Sequence, residues 1–378
     1  REGWHGARVP REAAARGGLG ERRVLRLRAR DLRVPRGRRD ARARASRAPR
    51  GRSSARGLSA LGVLGGDGHL PRGAAAERGV AVGPARLARG LTRALVVGAS
   101  GQIGGALCRV LPDTVGTYRS RPGSGLRQLD ASDAEAFRRT LDDTGAAIVF
   151  FPAAQPNVDW CESHPAEAEA ANLEPLRVAL AASAERAAFL VAYSSDYVFD
   201  GTRGPYRETD PVSPISVYGR IKVRLEEETI AAGAAVVRTT VVFGFETGEP
   251  RNFVLRLLRS FARGESVKVP TDQVGTPTYS DDVAGASGAI AEARAAEIWH
   301  VAGPDRMSRL ELARRTARAF GAREALIEAV PTSALGQLAR RPLASGLRIE
   351  KLRERFGITM RSVDAALADL RDIIERHE

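Results

Sequence analysis

Up to residue 90 the chain shows no sustained hydrophobic period; from Leu91 onward short apolar runs alternate with amphipathic stretches. Ala94, Leu95, Val96 and Val97 are four consecutive apolar residues, the mark of a strand buried on both faces. A glycine-rich turn follows. Ile103, Ala106, Leu107, Val110 and Leu111 then recur at i, i+3, i+4, i+7 and i+8, which predicts an amphipathic helix. Further strands are expected at 115–118, 147–151, 189–193, 235–239 and 298–301, mostly separated by helical stretches. That alternation predicts an α/β fold, a doubly wound parallel sheet of Rossmann type. Past Gly244 it loosens into a helix over 253–262, a loop rich in Pro and Thr, and a helix opened by Ser308 with Glu311 three on, a capping-box spacing. The expected organisation is a low-complexity segment over 1–90, a dinucleotide-binding domain over 91–244, and a smaller substrate-binding domain over 245–378 with chain crossings between the two.

Composition changes this picture at one end. The chain of 378 residues carries a formal charge of +14, which on its own suggests a nucleic-acid partner. Residues 1–90 hold 23 Arg against 7 acidic residues and no Lys, whereas residues 91–378 hold 36 basic and 38 acidic side chains. The folded body is therefore not basic, and nucleic-acid binding is not expected of it. The Arg-, Ala- and Gly-rich segment cannot build a core. It reads as a basic arm, as an organelle transit segment, or as a fragment or upstream sequence read from a misplaced start; we expect the last, because the chain opens on Arg and holds Met only at 307 and 360. No run approaches the ~20 apolar residues of a membrane-spanning helix. Two cysteines, Cys108 and Cys161, make neither a disulfide framework nor a Cys-based zinc site. A cytoplasmic protein without membrane partners is expected.

The turn after the first strand reads Gly98-Ala99-Ser100-Gly101-Gln102-Ile103-Gly104. Glycines at this junction permit a tight turn, let backbone approach a pyrophosphate, and bring helix against strand, while free N–H groups at the helix start face the anion. A merely tight strand-to-helix turn is the plainer alternative. About twenty residues on, an NAD site places a carboxylate for the ribose hydroxyls. Here Thr117-Tyr118-Arg119-Ser120-Arg121 offers two guanidiniums, which suits a 2′-phosphate and hence NADPH, with NADH also admissible.

Tyr218 and Lys222 lie four residues apart, on one face of a predicted helix. A free phenol titrates near ~10, and a neighbouring ammonium is expected to lower that value toward useful proton donation. Only three lysines, at 222, 268 and 351, occur among 56 Arg, so an Arg-biased chain has kept Lys here.

Tyr193-Ser194-Ser195-Asp196-Tyr197-Val198-Phe199-Asp200-Gly201 ends a predicted strand in hydroxyls and a turn. With GASGQIG before it and YGRIK after it, the chain resembles the extended short-chain dehydrogenase/reductases, specifically those of the dTDP-4-dehydrorhamnose reductase type. Asn252-Phe253, the run from Asp272 to Thr278 (DQVGTPT), His300-Val301-Ala302-Gly303 and Arg340-Arg341-Pro342 extend the resemblance over about residues 93–370.

The resemblance implies NADPH-dependent reduction of a nucleotide-activated 4-keto-6-deoxysugar. It implies Ser195 as the hydroxyl on the substrate carbonyl, Tyr218 as general acid, Lys222 as the residue holding the nicotinamide ribose, and Asn172 as a fourth member. Cofactor contacts are implied for Gly98, Ser100, Gly101, Gln102, Ile103, Gly104, Arg119, Arg121, Asp130, Ala131, Ala153, Ala154, Tyr218 and Lys222, and substrate contacts for Ser195, Asn252 and Gln273. A homodimer is a further family-level expectation. Two positions depart from the pattern: Val241 stands where the family often carries Trp, and Phe151-Pro152 replaces the usual Asn before the alanine pair. A related nucleotide-sugar epimerase or dehydratase is an alternative, as is a non-catalytic cofactor-binding subunit resembling that of methionine adenosyltransferase. Asp159, Cys161, Glu162 and His164 match no common zinc spacing, so no metal is expected. His300, Trp160 and Trp299 read as packing residues or pocket lining.

Overall fold

The computed structural model describes residues 92–249 and 251–377, so the expectations for residues 1–90 lie outside the described residues. Seven parallel strands form the main sheet: β1 (Ala94–Val97), β2 (Thr114–Tyr118), β3 (Arg127–Gln128), β4 (Ile148–Phe151), β5 (Phe189–Ser195), β6 (Ala235–Thr239) and β11 (Ile298–His300). Their order is β11-β6-β5-β4-β1-β2-β3, reversing direction of growth at β1, as in a Rossmann sheet.

The alternation of side chains along each strand divides the core between two faces. Ala94 and Val96 of β1 point to one face, where they meet Ala106 and Leu107 of α1 (Gln102–Val110) and Val283, Ala284 and Ile290 of α7 (Ser280–Glu292). Leu95 and Val97 point to the other, packed with Phe137 and Leu141 of α2 (Ala134–Thr144), Leu173 and Leu176 of α4 (Pro165–Glu185), and Ile221 and Leu225 of α5 (Val217–Ala231). A short helix α3 (Val158–Ser163) precedes α4.

Residues beyond 245 serve both parts. α7 and β11 return to complete the main sheet and its cover, and Leu352 of α9 (Glu350–Phe356) joins the same cluster. A separate cluster gathers Val254, Leu257 and Leu258 of α6 (Phe253–Ala262), Leu312 and Ala313 of α8 (Arg309–Ala319), and Leu367 and Leu370 of α10 (Val363–His377). Three two-stranded ladders surround it: β7 (Val242–Phe243) with β10 (Thr278–Tyr279), β8 (Val267–Pro270) with β13 (Ile327–Val330), and β9 (Val274–Gly275) with β12 (Met307–Ser308). The capping box at α8 is half made. Ser308 Oγ accepts the Glu311 N–H at 3.1 Å, but the Glu311 carboxylate is drawn away to the Arg315 guanidinium at 2.9 Å. Among the described residues no helix is long and apolar enough to cross a membrane.

Candidate active site

The glycine turn sits where β1 passes into α1, and its close contacts explain its composition. Gly98 has φ +92°, and a Cβ there would also lie 3.1 Å from the Ala153 Cα, so Ala153 at the end of β4 runs directly beneath the turn. A Cβ on Gly104 would fall 2.3 Å from the Gly98 carbonyl oxygen, which only glycine avoids. Helix α1 opens on Gly101 with no side-chain cap, and the Gln102 Nε2 is buried without a partner. Uncapped N–H groups at a helix start, an orphaned donor and a closely approached backbone fit a dinucleotide pyrophosphate.

Arg119 and Arg121 follow β2, exposed beside this turn. Partial desolvation of the otherwise exposed Arg121 and then the charge of Arg251 lower the Arg121 pKa, and an anion placed between the two guanidiniums would offset their repulsion. Arg251 was not anticipated from the sequence; its Nη2 donates to the Ser100 carbonyl at 2.7 Å from 151 positions away. Asp130 accepts from the Ser132 hydroxyl at 2.6 Å and the Ser132 N–H at 3.1 Å, contacts that hold its carboxyl below the usual range, with Ala131 buried next to it.

Asn172 is turned to a positioning task. Its Oδ1 accepts the Gln155 N–H at 3.1 Å and its Nδ2 donates to the Ala168 carbonyl at 2.7 Å, pinning the loop that carries Ala153 and Ala154. Asn252 caps α6, accepting from the Leu255 N–H and donating to the Gly244 carbonyl, both at 3.0 Å. Gln273 Nε2 donates to Thr332 Oγ1 at 3.1 Å and Gln337 Oε1 at 3.2 Å. Asn252 and Gln273 thus each hold neighbouring chain in place, and Arg309 links their segments, its N–H donating to the Gln273 carbonyl at 2.8 Å and its guanidinium lying over the Phe253 ring.

Ser195 ends β5, and Tyr218 and Lys222 share a face of α5. What brings the helix to the strand end is Gly219: a Cβ there would lie 2.3 Å from the Tyr197 carbonyl oxygen. Tyr218 consequently packs edge-on against Tyr197, ring centroids 5.6 Å apart. Lys222 Nζ donates to the Tyr193 carbonyl at 2.9 Å and stands 5.6 Å from the Tyr218 ring centroid. The electrostatics correct the expectation drawn from sequence. Burial raises the Tyr218 pKa, aided by Tyr197 and Cys161, and burial pulls Lys222 down to about 8. The ammonium spends a hydrogen bond on a carbonyl, and desolvation dominates at the phenol.

Three motifs distant in sequence interlock here. The segment after Arg341 runs as a strap between the turn at Gly201 and strand β9: Ala344 N donates to the Gly201 carbonyl (2.7 Å), Val274 N to the Leu343 carbonyl (2.6 Å), and Ser345 N to the Val274 carbonyl (2.9 Å). Gly201 is required, since a Cβ would lie 2.3 Å from Pro342 Cα. The strap delivers Arg341, whose Nη2 bonds Asp159 at 2.8 Å while its buried Nη1 has no partner. Arg309, at the start of α8, lies 5.2 Å from the Phe253 ring centroid and has its pKa lowered by burial. Both guanidiniums act on the Tyr197 phenol beside Tyr218. Arg309 gave no sequence signal among so many arginines. Val241, in the position of the family Trp, takes φ +46°, a strained backbone for a β-branched residue.

The remaining candidates have other engagements. Glu162 accepts the Val217 N–H at the start of α5, His164 stacks on Trp160, and Cys161 is buried with its thiol pKa raised. His300 and Trp299 are buried.

A family model, the RmlD substrate binding domain, matches residues 92–375. The dTDP-4-dehydrorhamnose reductase of Burkholderia thailandensis is 35% identical over 288 residues, 70% of this chain and 93% of that protein. Methionine adenosyltransferase 2 subunit beta of Mus musculus is 30% identical over 283 residues, 71% of this chain and 84% of that protein. The crystal structure of dTDP-4-dehydrorhamnose reductase from Bacillus anthracis in complex with NADP superposes with a TM-score of 0.67 at 25% identity, covering 75% of this chain and 99% of that one.

Proposed function

Because this chain belongs to the RmlD substrate-binding family, with the extended short-chain dehydrogenase/reductase fold, we propose that it is an NADPH-dependent reductase of a nucleotide-activated 4-keto-6-deoxysugar. The observation that carries this reading is the docking of the Tyr218 and Lys222 face of α5 against the Ser195 end of β5, which Gly219 permits. Bound NADPH supplies hydride to the sugar C4. Ser195 Oγ donates a hydrogen bond to the carbonyl oxygen, and Tyr218 Oη delivers the proton that oxygen gains as C4 is reduced. A phenol held neutral by burial keeps that proton until negative charge develops on the substrate oxygen. Lys222 braces α5 against β5 and would hold the nicotinamide ribose. Arg119 and Arg121 favour the 2′-phosphate, and the unpartnered Arg341 Nη1 with Arg309 supports an anionic substrate.

The test is NADPH oxidation by the full chain with dTDP-4-keto-6-deoxysugars generated in place, beside Tyr218→Phe. Turnover that falls by roughly 10²- to 10⁴-fold in the variant, with NADPH affinity kept, supports the reading. A second reading is favoured by the methionine adenosyltransferase subunit among the relatives: a cofactor-binding partner protein. NADPH binding without sugar turnover, together with co-purification of a methionine adenosyltransferase, would establish that one instead.

A further inference from the structure

Arg251 directly precedes Asn252, the buried cap of α6, yet its side chain reaches the glycine turn after β1, where Nη2 donates to the Ser100 carbonyl at 2.7 Å. Its main chain is held on both sides. The Arg251 N–H donates to the Glu246 carboxylate at 3.0 Å, and the Asn252 side chain donates to the Gly244 carbonyl and accepts the Leu255 N–H. The contact joins the C-terminal part of the chain to the turn that ends β1, while Arg251 itself stays exposed. A single bond from an exposed guanidinium to a carbonyl contributes little stability, so its placement calls for another reason.

The place it reaches adjoins the end of β2. Val97 is in register with Thr117, and the N–H of Ala99, one residue before Ser100, donates to the Thr117 carbonyl at 2.7 Å. Arg119 and Arg121 leave that strand end two and four residues on, both exposed. In a sheet of this order the group at the end of β2 meets the adenosine ribose, whereas the N–H groups at the start of α1 meet the pyrophosphate. Guanidiniums from two separate stretches of chain therefore stand on the ribose side of the turn. The carboxylates beside them are engaged elsewhere: Glu246 accepts the Arg251 N–H, and Asp130 accepts the hydroxyl and N–H of Ser132. The bond to Ser100 uses one of the five N–H donors of the Arg251 guanidinium and fixes the plane of its fork.

We propose that Arg251 is a specificity-determining residue for the cofactor: with Arg121 it holds the 2′-phosphate of NADPH, so that the grip on this phosphate is shared between the dinucleotide-binding and substrate-binding parts of the chain. This rests on the reading of the cofactor as NADPH. A phosphate dianion offers acceptor oxygens to both guanidiniums and offsets the repulsion between them, whereas NADH carries only a hydroxyl at that position.

The test is calorimetric binding of four probes to the full chain: NADPH, NADH, adenosine 2′,5′-bisphosphate and adenosine 5′-monophosphate. Arg251→Met keeps the length of the side chain and removes its charge and donors. It is expected to weaken NADPH and the bisphosphate by about tenfold, and NADH and the monophosphate by less than about twofold. Arg251→Lys, which keeps the charge without the fork, is expected to lose no more than about threefold toward NADPH. A loss in Arg251→Met shared equally by NADPH and NADH would mean that Arg251 only supports the turn through Ser100, and overturns the proposal. The two readings fail separately. A wild type that prefers NADPH, with the preference intact in Arg251→Met, overturns this inference alone; a wild type that binds NADPH no more tightly than NADH overturns the NADPH reading and this inference with it.

Discussion

The two ends of the candidate site are built in opposite ways. At the cofactor end, β1, the turn and α1 are consecutive in sequence, and the turn is made by glycines whose hydrogens touch backbone. At the substrate end, the pieces come from Asp159, Ser195–Tyr197, Tyr218, Arg309 and the strap after Arg341, joined by contacts such as Arg341 to Asp159 over 182 positions. The first end is a local shape that any side chain would spoil. The second is a convergence of polar and charged groups taken out of water, and it depends on tertiary partners being present together.

The comparison breaks first where charge is buried. Behind Ser195, Arg238 of β6 makes paired hydrogen bonds to Glu226 of α5 at 2.8 and 2.6 Å, with both side chains almost wholly buried, and Ser194 bonds the same carboxylate. Arg238→Ala leaves Glu226 unpaired and should cost about 3–5 kcal/mol of stability by denaturant unfolding. The double change Arg238→Met with Glu226→Leu should recover most of that loss.

At the cofactor end the corresponding break is steric. Gly104→Ala places a methyl 2.3 Å from the Gly98 carbonyl and 2.8 Å from the Ala99 Cα. We expect a cost of about 1–3 kcal/mol and a loss of NADPH affinity in fluorescence titration, with the arginine cluster untouched. A smaller and more selective effect should follow Arg119→Ala with Arg121→Ala. Both side chains are exposed, so NADPH binding should weaken by about tenfold while NADH binding changes little. Equal effects on the two cofactors would remove the 2′-phosphate assignment.

A further effect appears only in acid. His300 is buried between Arg238 and Phe199, and burial, with the Arg238 charge, lowers its pKa to about 3. The unfolded chain binds a proton near ~6.5 that the folded chain refuses until about pH 3. The contribution is therefore fully present above pH 6.5 and is lost as pH falls through the window toward 3. Unfolding at pH 7 and 4.5 should show a smaller drop in His300→Phe than in the wild type.

The same division explains what could be read from the sequence. The main sheet was legible because apolar runs and helical periodicity are local: the strand expected at 235–239 and the helix at 253–262 match β6 and α6 in both bounds. The glycine turn was legible for the same reason. The short ladders β7 to β10, β12 and β13 were not, since strands of two to four residues carry too little period to read. Nor was the Glu226–Arg238 pair, although an Arg inside the apolar run AVVRT was a signal of a buried partner. The titration of Tyr218 was misjudged because spacing along a helix reports the nearest charge, whereas burial, which a sequence pattern shows only indirectly, dominates. Arg309, Arg251 and the Ser345–Asp196 bond depend on folds of the chain over 100 residues or more, and no local pattern marks them.

If the site moves hydride from NADPH to a sugar carbon with Tyr218 as the acid, the label of [4,4-2H2]NADPH must reach the sugar when the full chain is incubated with it and a nucleotide 4-keto-6-deoxysugar, as read by mass spectrometry of the sugar nucleotide. The expected product carries one deuterium, formed by the wild type and nearly abolished in Tyr218→Phe. A protein that binds the labelled cofactor yet leaves the sugar nucleotide unlabelled would contradict hydride transfer by this site.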